Sequence, residues 1–242
     1  MTAPIRKDLT IPPARFAAHR KRAQLVVVLA LTSGATDAIG FLALGSAFTS
    51  VMTGNMVLLG VGAADRDMAL VLSCAVAILS FVAGAAIGAR VAGNPKSGDC
   101  LWPSAVTRAL YIELALLLAF AGCWWAISAT PTVHWMLPML GLNAAALGVQ
   151  SSAIQRFGVS GLSTTYLTGT LTTVVIKLIG GQGLRKVSHS LTILLGLIAG
   201  ATIGTILVEF APVIVPTVQL VTLGTVILSV HLSPSLRAPF EV

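Results

Sequence analysis

Charged side chains are scarce in this sequence: they make up 10% of its 242 residues, against 56% for hydrophobic side chains. A soluble domain of this length needs far more charge to cover its surface. The composition therefore excludes an ordinary water-soluble enzyme and leaves the lipid bilayer as the medium that covers the spare apolar surface. No polar stretch is long enough to fold alone, so residues 23–242 are predicted to form a single membrane domain.

Cysteines are also few, and they lack the spacing of a metal site. Cys74, Cys100 and Cys123 stand far apart, and no cluster of His, Cys and carboxylate residues has ligand spacing. There is no glycine-rich phosphate loop with its lysine, so ATP-driven transport would need another subunit. No motif orders Ser, His and Asp into a catalytic set. The sequence predicts no cofactor, no metal and no catalytic residue, and it points away from an enzyme.

Acidic residues number only eight, against fifteen Lys and Arg, which gives a net charge of +7. A basic tail directly before an apolar run is typical of a cytoplasmic anchor at anionic lipid, not of nucleic-acid binding. Its prolines and its lack of a core-forming pattern predict disorder for residues 1–22. The run that follows is too long for a cleaved signal peptide. The basic residues of the tail are Arg6, Lys7, Arg15, Arg20, Lys21 and Arg22.

Six apolar runs each reach roughly the 20 residues that a membrane-spanning helix requires. Two further stretches, 46–63 and 160–178, are moderately apolar, rich in Gly, Ser and Thr, and centred on a Thr-Gly pair, which makes them poor continuous helices. The sequence thus predicts an all-α, polytopic membrane protein with about six transmembrane helices. The six runs cover residues 23–44, 68–91, 105–128, 133–155, 188–208 and 212–231.

The chain also repeats itself at a nearly constant offset. Three segments recur in the same order: 52–56 (MTGNM) as 167–171 (LTGTL), 38–39 as 153–154, and 83–88 (AGAAIG) as 199–204 (AGATIG). Because the offset is about half the chain length, the matches predict two related halves, 23–128 and 133–231.

Charge decides how the two Thr-Gly stretches are placed. If both cross the membrane, basic residues such as Arg90, Arg108 and Arg156 fall on the outside. If each enters and leaves on one side, there are six spans, both termini are cytoplasmic, and Arg66 is the basic residue left outside. The positive-inside rule prefers the second arrangement. Three full spans per half then make the halves inverted repeats, each with a broken or re-entrant segment, as in many secondary transporters.

Residues 34–41 (GATDAIGF), followed by 48–55 (FTSVMTGN), resemble the signature of the YoaK-like family, bacterial membrane proteins defined by a domain of unknown function. The later Leu167-Thr168-Gly169 also fits. The resemblance covers the chain after the basic tail, and it implies a multi-pass protein of the bacterial inner membrane with about six spans. It supplies no substrate, cofactor or catalytic residue.

Polar residues inside these apolar segments are the candidates for a site. Asp37 lies within the first span, where a carboxylate is costly and usually faces the bundle interior or a water path. It is either a proton or cation site or a clamp that binds backbone amides of the broken segment. The Thr and Asn side chains either coordinate a small polar solute or ion or satisfy freed backbone groups, and Gly permits close approach. The candidates are Asp37, Thr53, Gly54, Asn55, Thr168, Gly169 and Thr170.

Other notable residues receive structural interpretations. Glu113 is expected to pair with a basic residue of another span. Five glycines with small-residue spacing are expected to serve close helix contact: Gly84, Gly88, Gly196, Gly200 and Gly204. Four tryptophans are expected in the aromatic belt: Trp102, Trp124, Trp125 and Trp135.

The sequence favours a small secondary transporter or permease for a small solute or ion, with its site where the two Thr-Gly segments meet near the midplane. Two alternatives stay open. One is a membrane enzyme that acts on a lipid-soluble substrate with Asp37 or Glu113 as acid or base. The other is a non-transporting scaffold or accessory subunit. Neither the substrate nor assembly into a homo-oligomer can be read from the residues.

Overall fold

The computed structural model describes residues 13–95, 98–129, 131–157, 167–181 and 183–237, and within these ranges every regular element is a helix. Six helices (α1, α3, α4, α5, α7 and α8) are long and apolar enough to span a membrane, which confirms the predicted fold class. The elements are α1 (Pro13–Ala43), α2 (Met52–Asp65), α3 (Met68–Ala92), α4 (Ser104–Ala126), α5 (Val133–Gln155), α6 (Leu167–Ile179), α7 (Leu184–Phe210), a 3₁₀ turn (Pro212–Ile214), α8 (Val215–His231) and α9 (Pro234–Arg237).

The first helix is longer than the apolar run that predicts it. It begins at Pro13, whereas a disordered tail was expected as far as residue 22. Proline is tolerated in the first turn because its missing N–H would have no helical partner there. The second part of the expected tail is therefore helical, and residues 1–12 lie outside the described ranges.

Four of the spanning helices form two close pairs, α1 with α7 and α3 with α5. In both pairs a glycine faces the backbone of the partner helix. A Cβ added at Gly84 would lie 2.0 Å from the carbonyl oxygen of Ala145, and one at Gly200 would lie 2.0 Å from that of Leu31. Only glycine permits such an approach, so the packing interpretation of these glycines is confirmed.

The same contacts give the directions of the helices. Gly200 faces Leu31 and Gly204 faces Ala35, so α1 and α7 run parallel. In the other pair Gly84 faces Ala145 and Gly88 faces Val149, so α3 and α5 run parallel. The two pairs run in opposite directions, because Gly45, just after α1, lies against Ser73 near the start of α3.

The two short helices, α2 and α6, lie against α3 and α7 respectively. With 14 and 13 residues they are about 20 Å long, too short to cross about 30 Å of hydrocarbon alone. A tight turn joins α2 to α3. Arg66 adopts a left-handed conformation there, and the carboxylate of Asp67 accepts a hydrogen bond of 3.1 Å from the N–H of Leu70.

Basic residues collect at one end of the bundle, called here the basic end: Arg22, Arg90, Arg108, Arg156, Lys177 and Arg237. Contacts among these segments place them together. The N–H of Trp102 donates to the carbonyl of Leu236, and the Phe157 ring lies against both Trp102 and the Arg22 guanidinium. The opposite end of the bundle carries Asp65, Arg66, Asp67 and Glu209.

Two of the four tryptophans are core residues, which corrects the expected aromatic belt. Trp102 and Trp124 are buried, and their indole N–H groups donate to Thr107 Oγ1 at 3.1 Å and to the carbonyl of Pro212 at 2.8 Å. Because each indole finds a partner near a helix end, its ring can be buried without an unpaired donor. Trp125 and Trp135 are exposed, as a belt requires.

Candidate functional site

The connection between α1 and α2 folds back along α1. Gly45 and Ser46 have positive φ angles of 114° and 59°, and these reverse the chain directly after the helix. Glycine adopts this conformation without the strain of a Cβ. The reversal brings Thr49 and Ser50 beside Asp37, which lies six residues before the end of α1.

Asp37 is almost fully buried, and its carboxylate accepts four hydrogen bonds from this connection. Oδ1 accepts from the N–H of Thr49 (2.7 Å), the N–H of Ser50 (2.7 Å) and the hydroxyl of Thr49 (2.9 Å). Oδ2 accepts from the hydroxyl of Ser50 at 2.5 Å. The arrangement is that of the clamp, the second of the two roles considered for this residue.

Asn55, in the first turn of α2, holds the same connection from the other side. Its side chain is fully buried, Oδ1 accepts from the N–H of Phe48 (2.8 Å), and Nδ2 donates to the carbonyl of Phe48 (2.7 Å). The side-chain amide thus pairs with both the N–H and the carbonyl of one residue, as the backbone of a neighbouring β-strand does. Gly54 lies against Phe48 as well, since a Cβ there would lie 3.4 Å from its ring.

A cavity of about 330 Å³ lies where α2 and α6 begin. Its wall includes Phe81 and Ala85 of α3 and Gln155 at the end of α5, together with Gly169 of α6. The side chains that dominate its polar lining are five hydroxyls: Ser50, Thr53, Ser151, Ser152 and Thr168.

The structure therefore brings three of the seven candidate residues to one cavity: Thr53, Thr168 and Gly169. Asp37 stands behind the wall and touches it through the hydroxyl of Ser50. Gly54, Asn55 and Thr170 are not part of the lining, although Thr170 is buried on the first turn of α6. Binding of a solute by these residues stays a prediction.

Ser152 belongs to the lining but was not among the candidates. Its hydroxyl donates to the carbonyls of Ala85 (2.7 Å) and Gly148 (3.2 Å), so it bridges α5 to α3. The sequence did mark Ser152, because the repeat relates residues 115 positions apart and so makes Ser152 the counterpart of Asp37. Ser151 and Gln155 also line the cavity, and nothing in their local sequence marks them. Ser50 lines it too, and although it lies in the 48–55 signature it was not among the predicted site residues.

Buried amides form a second polar group between α1, α5 and α8. Gln219 donates to both Thr36 (2.9 Å) and Asn143 (2.8 Å), and Gln150 donates to Ser33 (2.8 Å). These contacts connect helices of both halves. They are hard to find from the sequence, because single amides in apolar runs carry no spacing pattern.

Glu113 lies in the middle of α4 with no exposed surface, and within the described ranges neither carboxyl oxygen has a hydrogen-bond partner. The expected pairing with a basic residue of another span is not found there. Leu110 and Leu117, one turn to either side on the same helix face, are fully buried too. The described residues also contain no group of three or more His, Cys, Asp or Glu that could hold a metal ion.

Comparisons with known proteins agree with this architecture. The model of a family described as "Protein of unknown function (DUF1275)" matches residues 25–230. The UPF0700 transmembrane protein YoaK of Bacillus subtilis (strain 168) is 36% identical over 165 residues, which cover 68% of this chain and 71% of that protein. No solved structure matches. Because the family model covers most of the chain and six helices are long and apolar enough to span a membrane, the chain belongs to the DUF1275 family of multi-pass membrane proteins.

Proposed function

We propose that the protein is a small secondary transporter or permease whose solute binds in the cavity where α2 and α6 begin. The observation that carries the proposal is that residues from both halves of the chain line the cavity. Thr53 comes from the Thr-Gly segment of the first half, and Thr168 and Gly169 come from that of the second. Short helices from different halves that begin at one site are typical of transporters built from repeats.

The helix pairs support inversion of the second half relative to the first. α1 and α5 open the two halves, and each packs on the second span of the other half, α7 and α3. The contact of Gly200 with Leu31 in one pair corresponds to the contact of Gly84 with Ala145 in the other, so each half supplies the glycine of one pair and its partner in the other. The two pairs run in opposite directions, so superposing one half on the other requires turning it upside down in the membrane. A twofold axis in the membrane plane relates halves in this way.

The course of the first Thr-Gly segment supports a re-entrant path. α2 begins beside Asp37, about 9 Å along the axis from the end of α1, and it ends at the turn into α3. The start of α3 lies at the end of the bundle where α1 ends. The segment thus enters and leaves at one end. The collection of basic residues at the other end supports cytoplasmic termini in a bacterial inner membrane.

The alternatives receive less support from the geometry. Asp37 already accepts four hydrogen bonds, and Glu113 is not part of the cavity lining, so neither carboxyl is placed as an acid or base beside a bound substrate. A scaffold would share the fold but would conduct no solute, so a flux measurement separates it from a permease.

The test is stopped-flow light scattering of vesicles containing the purified protein, with glycerol, urea, sodium formate and ammonium chloride as solutes. At least one solute is expected to enter faster than in protein-free vesicles. Thr168→Val, in the lining, should slow that entry, whereas Thr172→Val, exposed on the same helix, should not. No entry above the protein-free rate, or equal effects of the two variants, would refute the proposal.

A further inference from the structure

We infer that the solute of this cavity is uncharged and polar, a small polyol or amide, and the inference rests on the transport function proposed above. None of the described residues that line the cavity carries a charge. The hydroxyls of Thr53 and Thr168 and the Gln155 amide can both donate and accept hydrogen bonds. Ser50 and Ser152 donate their protons to Asp37 and to backbone carbonyls, so they offer acceptor lone pairs. Such a lining suits an uncharged solute with hydroxyl or amide groups.

The fixed charges around the cavity offset one another. α2 and α6 both begin at the wall, and a helix N-terminus acts as roughly half a positive charge. Asp37 supplies a negative charge from behind Ser50, whose hydroxyl lies 2.5 Å from its Oδ2. The helix ends and the carboxylate have opposite signs, so their fields oppose each other in the cavity.

The guanidinium of Arg156 does not bring a free positive charge to the cavity. Arg156 follows Gln155 directly, but its Nη2 lies 2.8 Å from Asp99 Oδ2, and its Nη1 donates to the carbonyl of Ala92. The side chain is almost fully buried in these contacts. Its charge is thus neutralised by Asp99 and is held away from the lining.

An ion that entered the cavity would lose hydration without meeting a side chain of opposite charge among the described lining residues, whereas an uncharged solute would exchange water hydrogen bonds for similar ones. The volume of about 330 Å³ corresponds to roughly ten water molecules at the density of the liquid. The site therefore fits a solute of several heavy atoms with hydroxyl or amide groups.

The charge preference can be measured without any flux. Thr168→Cys is prepared in a background with Cys74→Ala, Cys100→Ala and Cys123→Ala, and is labelled with hydroxyethyl, sulfonatoethyl and trimethylammonioethyl methanethiosulfonates. Rates are divided by those of Thr132→Cys, an exposed position before α5. The uncharged reagent is expected to have the highest ratio, by about tenfold over both charged reagents, because only they lose ionic hydration.

A higher ratio for the sulfonate would overturn the inference in favour of an anion site, and a higher ratio for the ammonium would overturn it in favour of a cation site. Absence of any labelling at Thr168→Cys would also overturn it, because the cavity would then be closed to solutes. Addition of Asp37→Asn, with folding checked by gel filtration, should raise the ratio of the sulfonate. Asp65→Asn, which removes an exposed carboxylate at the other end of α2, should leave the ratios unchanged. An unchanged sulfonate ratio in Asp37→Asn would overturn the charge balance.

The labelling experiment tests the solute class and the vesicle assay tests transport, so a negative result in one can be distinguished from a negative result in the other. Preference for the uncharged reagent in a protein that conducts nothing would refute transport but keep the character of the cavity. Flux of formate without flux of glycerol or urea would keep transport and overturn the inferred solute class.

Discussion

At the scale of single residues, Asp37 and Asn55 both bind the connection that leads into α2. Between them they satisfy three backbone N–H groups and one carbonyl, of Phe48, Thr49 and Ser50. Irregular backbone inside a membrane protein must have such partners, since an unpaired group costs several kcal/mol in an apolar medium, roughly. The clamp explains why these two polar residues lie in apolar segments, and it leaves Thr53 free for the cavity.

Glu113 differs from Asp37 and Asn55, because its carboxyl group makes no hydrogen bond within the described ranges. We expect Glu113→Leu to unfold at the same temperature as the wild type or at a higher one, since it removes a buried polar group that costs roughly 1–3 kcal/mol when unpaired. Thermal unfolding of the purified protein in detergent measures this. A clearly lower midpoint would show that Glu113 has a partner in the segments outside those ranges.

At the scale of helices, the close pairs depend on individual glycines. Gly84→Ala is expected to destabilise the protein by roughly 1–3 kcal/mol or more, because its Cβ would lie 2.0 Å from the carbonyl oxygen of Ala145 and force α3 away from α5. Gly122→Ala is the matched control. It is also helical, but no atom lies within 4 Å of the added Cβ, so a gain of about 0.5–1 kcal/mol is expected.

Thermal unfolding in detergent distinguishes the two variants. If both have the wild-type midpoint, α3 and α5 do not depend on close backbone contact. Gly200→Ala provides an independent check, since it tests the equivalent contact between α7 and Leu31 in the other pair.

Helix positions could be predicted from the sequence because hydrophobic length alone determines a membrane span. Met68–Ala92 and Val133–Gln155 differ from their predicted runs by at most one residue. The glycine spacing likewise indicated close contact, but it could not name the partners. That α3 pairs with α5 depends on how the whole bundle packs, which a local pattern does not contain.

At the scale of the whole molecule, the repeat carried the most information about the site. The matching Thr-Gly pairs predicted that two distant segments meet, and both line the cavity. The repeat could not show that Ser50 would form the wall, because that depends on the reversal at Gly45 and Ser46. The amides Asn143 and Gln219 were also missed, since their contact joins helices far apart in the chain.

The charge of its two ends predicts the orientation of the molecule in the membrane. The basic end holds the start of α1 and the ends of α5 and α8, and the opposite end carries mostly acidic residues. Lys and Arg near spans remain on the cytoplasmic side. We therefore expect Thr132, before α5, to face the outside, and Ser235, in α9 at the basic end, to face the cytoplasm.

Cysteine labelling in whole cells tests this orientation. In the background without native cysteines, Thr132→Cys should react with a membrane-impermeant maleimide added to intact cells, because it is exposed at the outer end of a span. Ser235→Cys, equally exposed, should react only after the membrane is permeabilised. The two positions are controls for each other, since a leaky membrane would label both and a failure of the reagent would label neither. Labelling of Thr132→Cys only after permeabilisation would contradict the six-span topology, and with it the proposal that the two Thr-Gly segments reach the cavity from opposite sides.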